Sequence, residues 1–273
     1  MTEHFIEVEP GVSLFVQDVG TGKPVVLLHG WALGHELWDR QVYELTSHGL
    51  RAIAPDLRGH GASSKPLNGY GVERLADDVV AVIEKLRLNR VVLVGCSIGG
   101  LTAFRLACAR PDLVERLVLV SSNGVAASKV PGLPFGAPAS DVEDAVIGAE
   151  LADRVASREG QIRHTVLPSV SESALQWLLT MAMRVPVWAG VSGLKTILHT
   201  DQVSAAATLA VPLVQIIGDQ DPTLSRRASQ WLIDTVPNAS QMTIPDSGHF
   251  PMVENTGPFT SALLSAVSTD VEL

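Results

Sequence analysis

The chain has 273 residues, 46% hydrophobic and 18% charged, with a net charge of −9. That size suits one large α/β domain with an insertion, and the acidic balance gives no basic surplus to neutralise phosphates or anionic headgroups. Two cysteines exclude a disulfide framework, so Cys96 and Cys108 are read as small apolar residues.

Short apolar runs alternate with helical patterns. Phe5–Val8 and Val12–Val19 are predicted strands, joined by the turn residues Pro10 and Gly11. Val25–Leu28 is a continuous apolar run, as expected of a strand buried on both faces. Leu37–Ser47 follows as a helix and Arg51–Pro55 as a strand. Apolar positions from Val72 to Leu86 recur with helical spacing. Val91–Gly95 is a buried strand, Ile98–Arg110 a helix and Val114–Val120 a strand. This alternation implies an α/β fold: a mostly parallel central sheet with helices on both faces.

The rhythm stops after Ser121. Residues 123–138 are rich in Gly, Pro and small side chains, and three helices are expected with no strand between them, Asp141–Ser157, Ser171–Arg184 and Val187–Asp201. Strands resume at Val211–Gly218 and Gln241–Ile244, with helices at Ser225–Val236 and near Pro258–Val267. Residues 123–209 are therefore read as a helical cap insertion in a core formed by 1–122 and 210–273. The N-terminus MTEHFIEVEP carries no basic and apolar leader pattern, and no uncharged run reaches the roughly 20 residues of a membrane helix. A cytoplasmic protein with no membrane partner is the expectation.

The strongest local signal is Gly95-Cys96-Ser97-Ile98-Gly99. G-x-S-x-G between a buried strand and a helix places a serine on a sharp turn, its hydroxyl raised above the sheet edge. A serine hydroxyl needs a base. Of eight histidines, His249 in Pro245-Asp246-Ser247-Gly248-His249-Phe250 follows the last strand, where active sites of parallel sheets collect. His29 and His60 lie in other loops and are read as backbone-orienting; His4, His35, His48, His164 and His199 as surface or insertion residues. The base needs a carboxylate to hold its tautomer. Asp221 and Asp219 compete for that role in Gly218-Asp219-Gln220-Asp221-Pro222; Asp221 is preferred, with Asp219 as turn-former. Backbone N–H groups of Ile98 and Trp31 are the expected oxyanion donors.

Taken together, VVLLHGWALGHELWDRQ, IAPDLRGHGASS, VGCSIGG, IIGDQDP and PDSGHFPMVEN resemble the α/β-hydrolase superfamily over roughly residues 20–122 and 210–268. The HGW loop and RGHG segment resemble bacterial arylesterases and cofactor-free perhydrolases, a group that usually carries proline after the tryptophan where this chain has Ala32. RGHGASS and the end of the insertion are also similar to enol-lactone hydrolases. Dehalogenases and epoxide hydrolases place aspartate at the nucleophile, unlike Ser97. The resemblance implies acyl chemistry on a small-molecule ester or lactone, with C–C bond hydrolysis, perhydrolysis or a hydrolase-fold receptor as alternatives. Phe135, Trp177, Met181, Trp188 and Phe250 are the candidate pocket residues. No metal-binding motif or dinucleotide-binding glycine motif is present, so neither metal nor cofactor is expected.

Overall fold

A computed structural model describes residues 1–268. Eight strands form one sheet: β1 Thr2–Glu9, β2 Val12–Val19, β3 Pro24–Leu28, β4 Arg51–Pro55, β5 Val91–Cys96, β6 Val114–Val120, β7 Leu213–Gly218 and β8 Ala239–Ile244. Their spatial order is β1-β2-β4-β3-β5-β6-β7-β8. β1 and β2 run antiparallel at one edge, and all pairs from β4 to β8 are parallel. The parallel part delivers every strand's carboxyl end to one side. The order reverses between β3 and β5, and a crevice opens at such a switch point.

Strand alternation divides the core in two. Val92, Val94 and Cys96 of β5 face one side, with Val118, Val120 and Ile216 from the neighbouring strands. Two helices cover that face: α1 (Asp39–Ser47), through Val42 and Leu45, and α10 (Thr256–Val267), through Phe259 and Leu263. Val91 and Leu93 face the other side. There α2 (Val72–Lys85) contributes Val79, Val82 and Ile83, α3 (Ile98–Ala109) Phe104 and Leu106, and α8 (Arg226–Thr235) Leu232. Phe104 is fully buried; truncating such a residue to Ala costs about 3–5 kcal/mol.

Between β6 and β7 the chain forms α4 (Ala139–Ala152), α5 (Arg154–Thr165), α6 (Glu172–Met183) and α7 (Val187–His199), then a 3-10 turn at Val203–Thr208. The single helix expected over 141–157 is instead two. Asp153 leaves helical geometry (φ −150°), and its carboxylate caps α5 by accepting from the N–H groups of Val155 and Ala156. Leu37–Ser47 also divides, beginning as a 3-10 turn at His35–Trp38 before α1. Short α9 (Pro251–Glu254) precedes α10. No described helix is long and apolar enough to cross a membrane.

The loops after β3 and β4 are tied by buried histidines. His29 Nε2 accepts from Leu57 N–H at 2.9 Å, and its Nδ1 lies 2.8 Å from Gly30 O. His60 packs 5.0 Å from the His29 ring, its Nδ1 2.9 Å from Arg58 O. His35 is not the surface residue expected. Its backbone N and Nδ1 both reach Asp56 Oδ1, at 2.7 and 2.9 Å. His35, Glu36 and Asp56 bring ligand-type atoms within 4.8 Å of one another, but the His35–Asp56 pair uses those atoms internally.

These groups make stability pH-dependent. Burial pushes His60 from 6.5 down to about 3 and lowers His29 as well. Unfolded histidine takes up a proton near 6.5 while the folded residues resist, so their contribution is present above that pH and lost as pH falls toward 3. His35 works oppositely. Burial disfavours its charge, but Asp56 outweighs it and raises the pKa, so its contribution is lost as pH rises through that folded value. Asp56 resists protonation down to about 2, because contacts with His35 and His29 outweigh burial; its contribution falls away only below 3.8. The urea unfolding midpoint is expected to drop between pH 7 and pH 5, and His60→Gln to flatten that slope. A midpoint constant over the interval in the unsubstituted protein would contradict this account.

Candidate active site

Ser97 follows β5 and precedes α3, with φ 53° and ψ −118°. A non-glycine residue with positive φ is strained, and such strain collects at functional sites. The flanking glycines permit the turn. A Cβ on Gly99 would lie 2.6 Å from the carbonyl oxygens of Leu28 and His29, and one on Gly95 would collide with the Gly99 backbone. Ile98 is the first residue of α3, so its N–H has no intrahelical acceptor and sits at the positive end of the helix.

His249 lies in the loop after β8 and is 7% exposed. Its backbone N–H bonds Thr165 O at 2.8 Å. Glu254 stabilises the same loop by accepting from the N–H groups of Gly248, Phe250 and Leu167 at 2.8 to 2.9 Å. Asp219 Oδ1 accepts from Ser247 N–H at 3.1 Å, which ties the β7 and β8 exits together. Asp221, one loop earlier, is 2.8 Å through Oδ2 from His249 Nδ1. A carboxylate only accepts, so Nδ1 carries the proton and Nε2 is left as a base. Burial alone would raise the Asp221 pKa; the charge and hydrogen bond of His249, with the Thr223 and Leu224 N–H groups, outweigh it and keep the carboxyl below its ordinary range.

Ser97 and His249 line one cavity of about 300 Å³. No hydrogen bond joins Ser97 Oγ to His249 among the described residues; such contacts are often long before substrate binds. Trp31, Ile98, Phe135 and Phe250 also line this cavity. Trp177, Met181 and Trp188 do not. Helical period turns Leu175, Leu178 and Ala182 of α6 inward and leaves Trp177 38% exposed. Met181 packs into the core shared with Leu178 and Val185. Trp188 is 44% exposed, with its indole N–H 3.3 Å from Lys65 O. The apolar walls come instead from Ile162, Leu194, Ile197 and Leu198.

Arg158 is a cavity residue that sequence reasoning missed. It is fully buried in α5 and paired with the fully buried Glu150 of α4. Its guanidinium also donates to Ala182 O, in the last turn of α6, and to Val185 O just beyond it. The guanidinium carbon lies 5.6 Å from the Trp31 ring, a cation–π contact, and the Trp31 indole N–H donates to Gly190 O at 2.9 Å. The loop after β3 is thus held by α5 and α7. Its turn, closed by Leu33 N–H to Gly30 O at 3.2 Å, sets Ala32 at φ 58°. Proline, locked near −65°, cannot occupy that conformation. Cys96 is buried in β5, and burial pushes its thiol pKa up, so it is no thiolate nucleophile.

Residues 23–256 match a family described as alpha/beta hydrolase fold. The chain is 31% identical over 261 residues to the AB hydrolase superfamily protein YisY of Bacillus subtilis (strain 168), covering 95% of this chain and 97% of that one. It is 28% identical over 260 residues to the bifunctional esterase/perhydrolase DCH of Acinetobacter calcoaceticus, covering 90% and 92%. The solved structure of the esterase EaEST from Exiguobacterium antarcticum superposes with a TM-score of 0.93 at 25% identity, over 97% of this chain and 99% of that one. The family match over residues 23–256 and the likeness to YisY place the chain in the α/β-hydrolase superfamily.

Proposed function

We propose that this hydrolase cleaves a carboxylic ester or lactone of a small, mainly apolar substrate through a covalent acyl-serine intermediate. The observation that carries this reading is the 2.8 Å bond from His249 Nδ1 to Asp221, with His249 and Ser97 on the wall of one cavity. The cavity volume sits at the low end of small-molecule sites, and its walls are mostly aliphatic. The helical segment from α4 to α7 acts as its cap.

His249 Nε2 takes the Ser97 proton as Oγ attacks the carbonyl carbon. The N–H groups of Ile98 and Trp31 hold the oxyanion. His249 returns the proton to the leaving alcohol, or to the opened ring oxygen of a lactone. Water then attacks the acyl-serine, giving a proton to His249, and Ser97 leaves as the restored hydroxyl. Asp221 stays ionised throughout and stabilises the imidazolium. The positive φ of Ala32 distinguishes this oxyanion turn from one built on proline.

Two outcomes are expected. Ser97→Ala lowers kcat on a p-nitrophenyl ester by about 10⁴–10⁶ and abolishes fluorophosphonate labelling; a variant within tenfold of the parent enzyme excludes Ser97 as nucleophile. Gly193→Ala tests whether the seated Trp31 indole holds the oxyanion turn, because a Cβ there would lie 2.7 Å from the indole Cδ1. Alanine favours the α7 helix, so the fold is retained while the indole must move. Steady-state kinetics should show kcat reduced by roughly tenfold with KM changed less; unaltered kinetics would show that the oxyanion turn does not depend on how the Trp31 indole is seated.

A further inference from the structure

We propose that Thr223 is a positioning residue for the catalytic base, fixing the tautomer and ring orientation of His249. The inference rests on His249 being that base. The turn after β7 is closed on the Asp221 carboxylate. Asp221 Oδ1 accepts from Thr223 N–H at 2.9 Å, Leu224 N–H at 3.1 Å and the Thr223 hydroxyl at 2.9 Å. Oδ2 meets His249 Nδ1 at 2.8 Å, and Thr223 Oγ1 lies 2.7 Å from the same Nδ1.

Only one assignment of protons satisfies all these contacts. The carboxylate has no proton, so the hydrogen between Nδ1 and Oδ2 belongs to the ring. The single hydroxyl proton of Thr223 points at Oδ1, which leaves an oxygen lone pair facing Nδ1–H. The imidazole N–H is then shared by two acceptors on one side of the ring. The opposite tautomer would set a bare nitrogen against Oδ2, and the hydroxyl would have to abandon either Oδ1 or the ring. Thr223 thus adds to the preference for a bare Nε2. Two contacts, to Asp221 Oδ2 and to Thr223 Oγ1, also hold one ring edge, so rotation of the imidazole breaks two bonds rather than one. The β-branched side chain has few χ1 rotamers, which keeps the oxygen in place. Its one hydroxyl proton is spent on Asp221, so Thr223, although it lines the cavity, has none left to donate to a substrate carbonyl.

The test compares Thr223→Val, Thr223→Ser and His249→Ala in the full-length protein, with thermal unfolding reported for each. Expected for Thr223→Val is a kcat lower by roughly 10- to 100-fold, with KM within about twofold, because a misaligned base affects the chemical step alone. The downfield imidazole N–H resonance in the proton NMR spectrum should broaden or vanish. Thr223→Ser keeps the hydroxyl and should keep both the resonance and a kcat within about threefold. Thr223→Val with parent kcat and an intact resonance overturns the proposal. So does a rise in KM alone, or an equal loss in Val and Ser, which would mean that shape matters and not the hydroxyl. His249→Ala separates the two levels. If it retains activity, the underlying assignment of the base fails; if it is inactive while Thr223→Val is unaffected, only the role of Thr223 fails.

Discussion

A parallel sheet ends all its strands on the same side, and everything at the candidate site follows from that constraint. β3, β5, β7 and β8 carry the Trp31 turn, Ser97, Asp221 and His249 on their exits. These residues are separated by up to most of the chain, yet each lies within a few positions of a buried strand end. The fully buried β5 and β7 fix those ends, since a register slip would swap side chains between two close-packed cores. Even the polar residue inside β7 is accommodated. Gln215 donates to Ser122 O at 2.8 Å and accepts from Gln241 at 2.7 Å. The apolar core thus supplies the rigidity, and the loops supply the chemistry.

Strain is concentrated where the chain leaves the sheet. Ala32, Ser97 and Ser121 all have positive φ, and they follow β3, β5 and β6. Such residues cost about 1–3 kcal/mol each and persist only when their surroundings overdetermine them. For Ser97 the surroundings are the close backbone approaches of Gly95 and Gly99. For Ala32 they are the Trp31 contacts to α5 and α7. The turn that would present an oxyanion donor is therefore set partly by helices outside the sheet.

What could be read from the sequence was what short patterns encode. Buried strands appear as Val and Leu runs, and the elbow as glycines around Ser97. The positions of Asp221 and His249 follow from strand ends in chain order. The pocket walls were less legible. Bulk and apolarity suggested Trp177, Met181 and Trp188, but a helix sorts residues by period. Leu175, Leu178 and Ala182 form the inward stripe of α6, a signal that was present and that set Trp177 outside. The break at Asp153 was hidden because an aspartate inside a helical pattern also reads as a solvated residue. Arg158 was illegible for a different reason. Nothing local distinguishes a buried arginine from the solvated Arg163, whose carboxylate partners Glu159 and Glu172 are exposed.

The Arg158–Glu150 pair also bears on why α4 to α7 pack as one body over the cavity. Removing two charges from water costs several kcal/mol per ion, and a single pairing rarely repays it. Here the guanidinium has further acceptors, the carbonyls of Ala182 and Val185, and a ring face on Trp31. Glycine at 190 is required for this arrangement, because a Cβ there would lie 2.5 Å from the guanidinium nitrogen. One side chain thereby joins α4, α5, the end of α6 and the Trp31 turn. An apolar replacement of the pair could fill the same volume, but it would offer no donors to the two carbonyls. The pair's value therefore lies in geometric definition: it fixes the cavity's helical wall relative to the strand ends that carry Ser97 and His249.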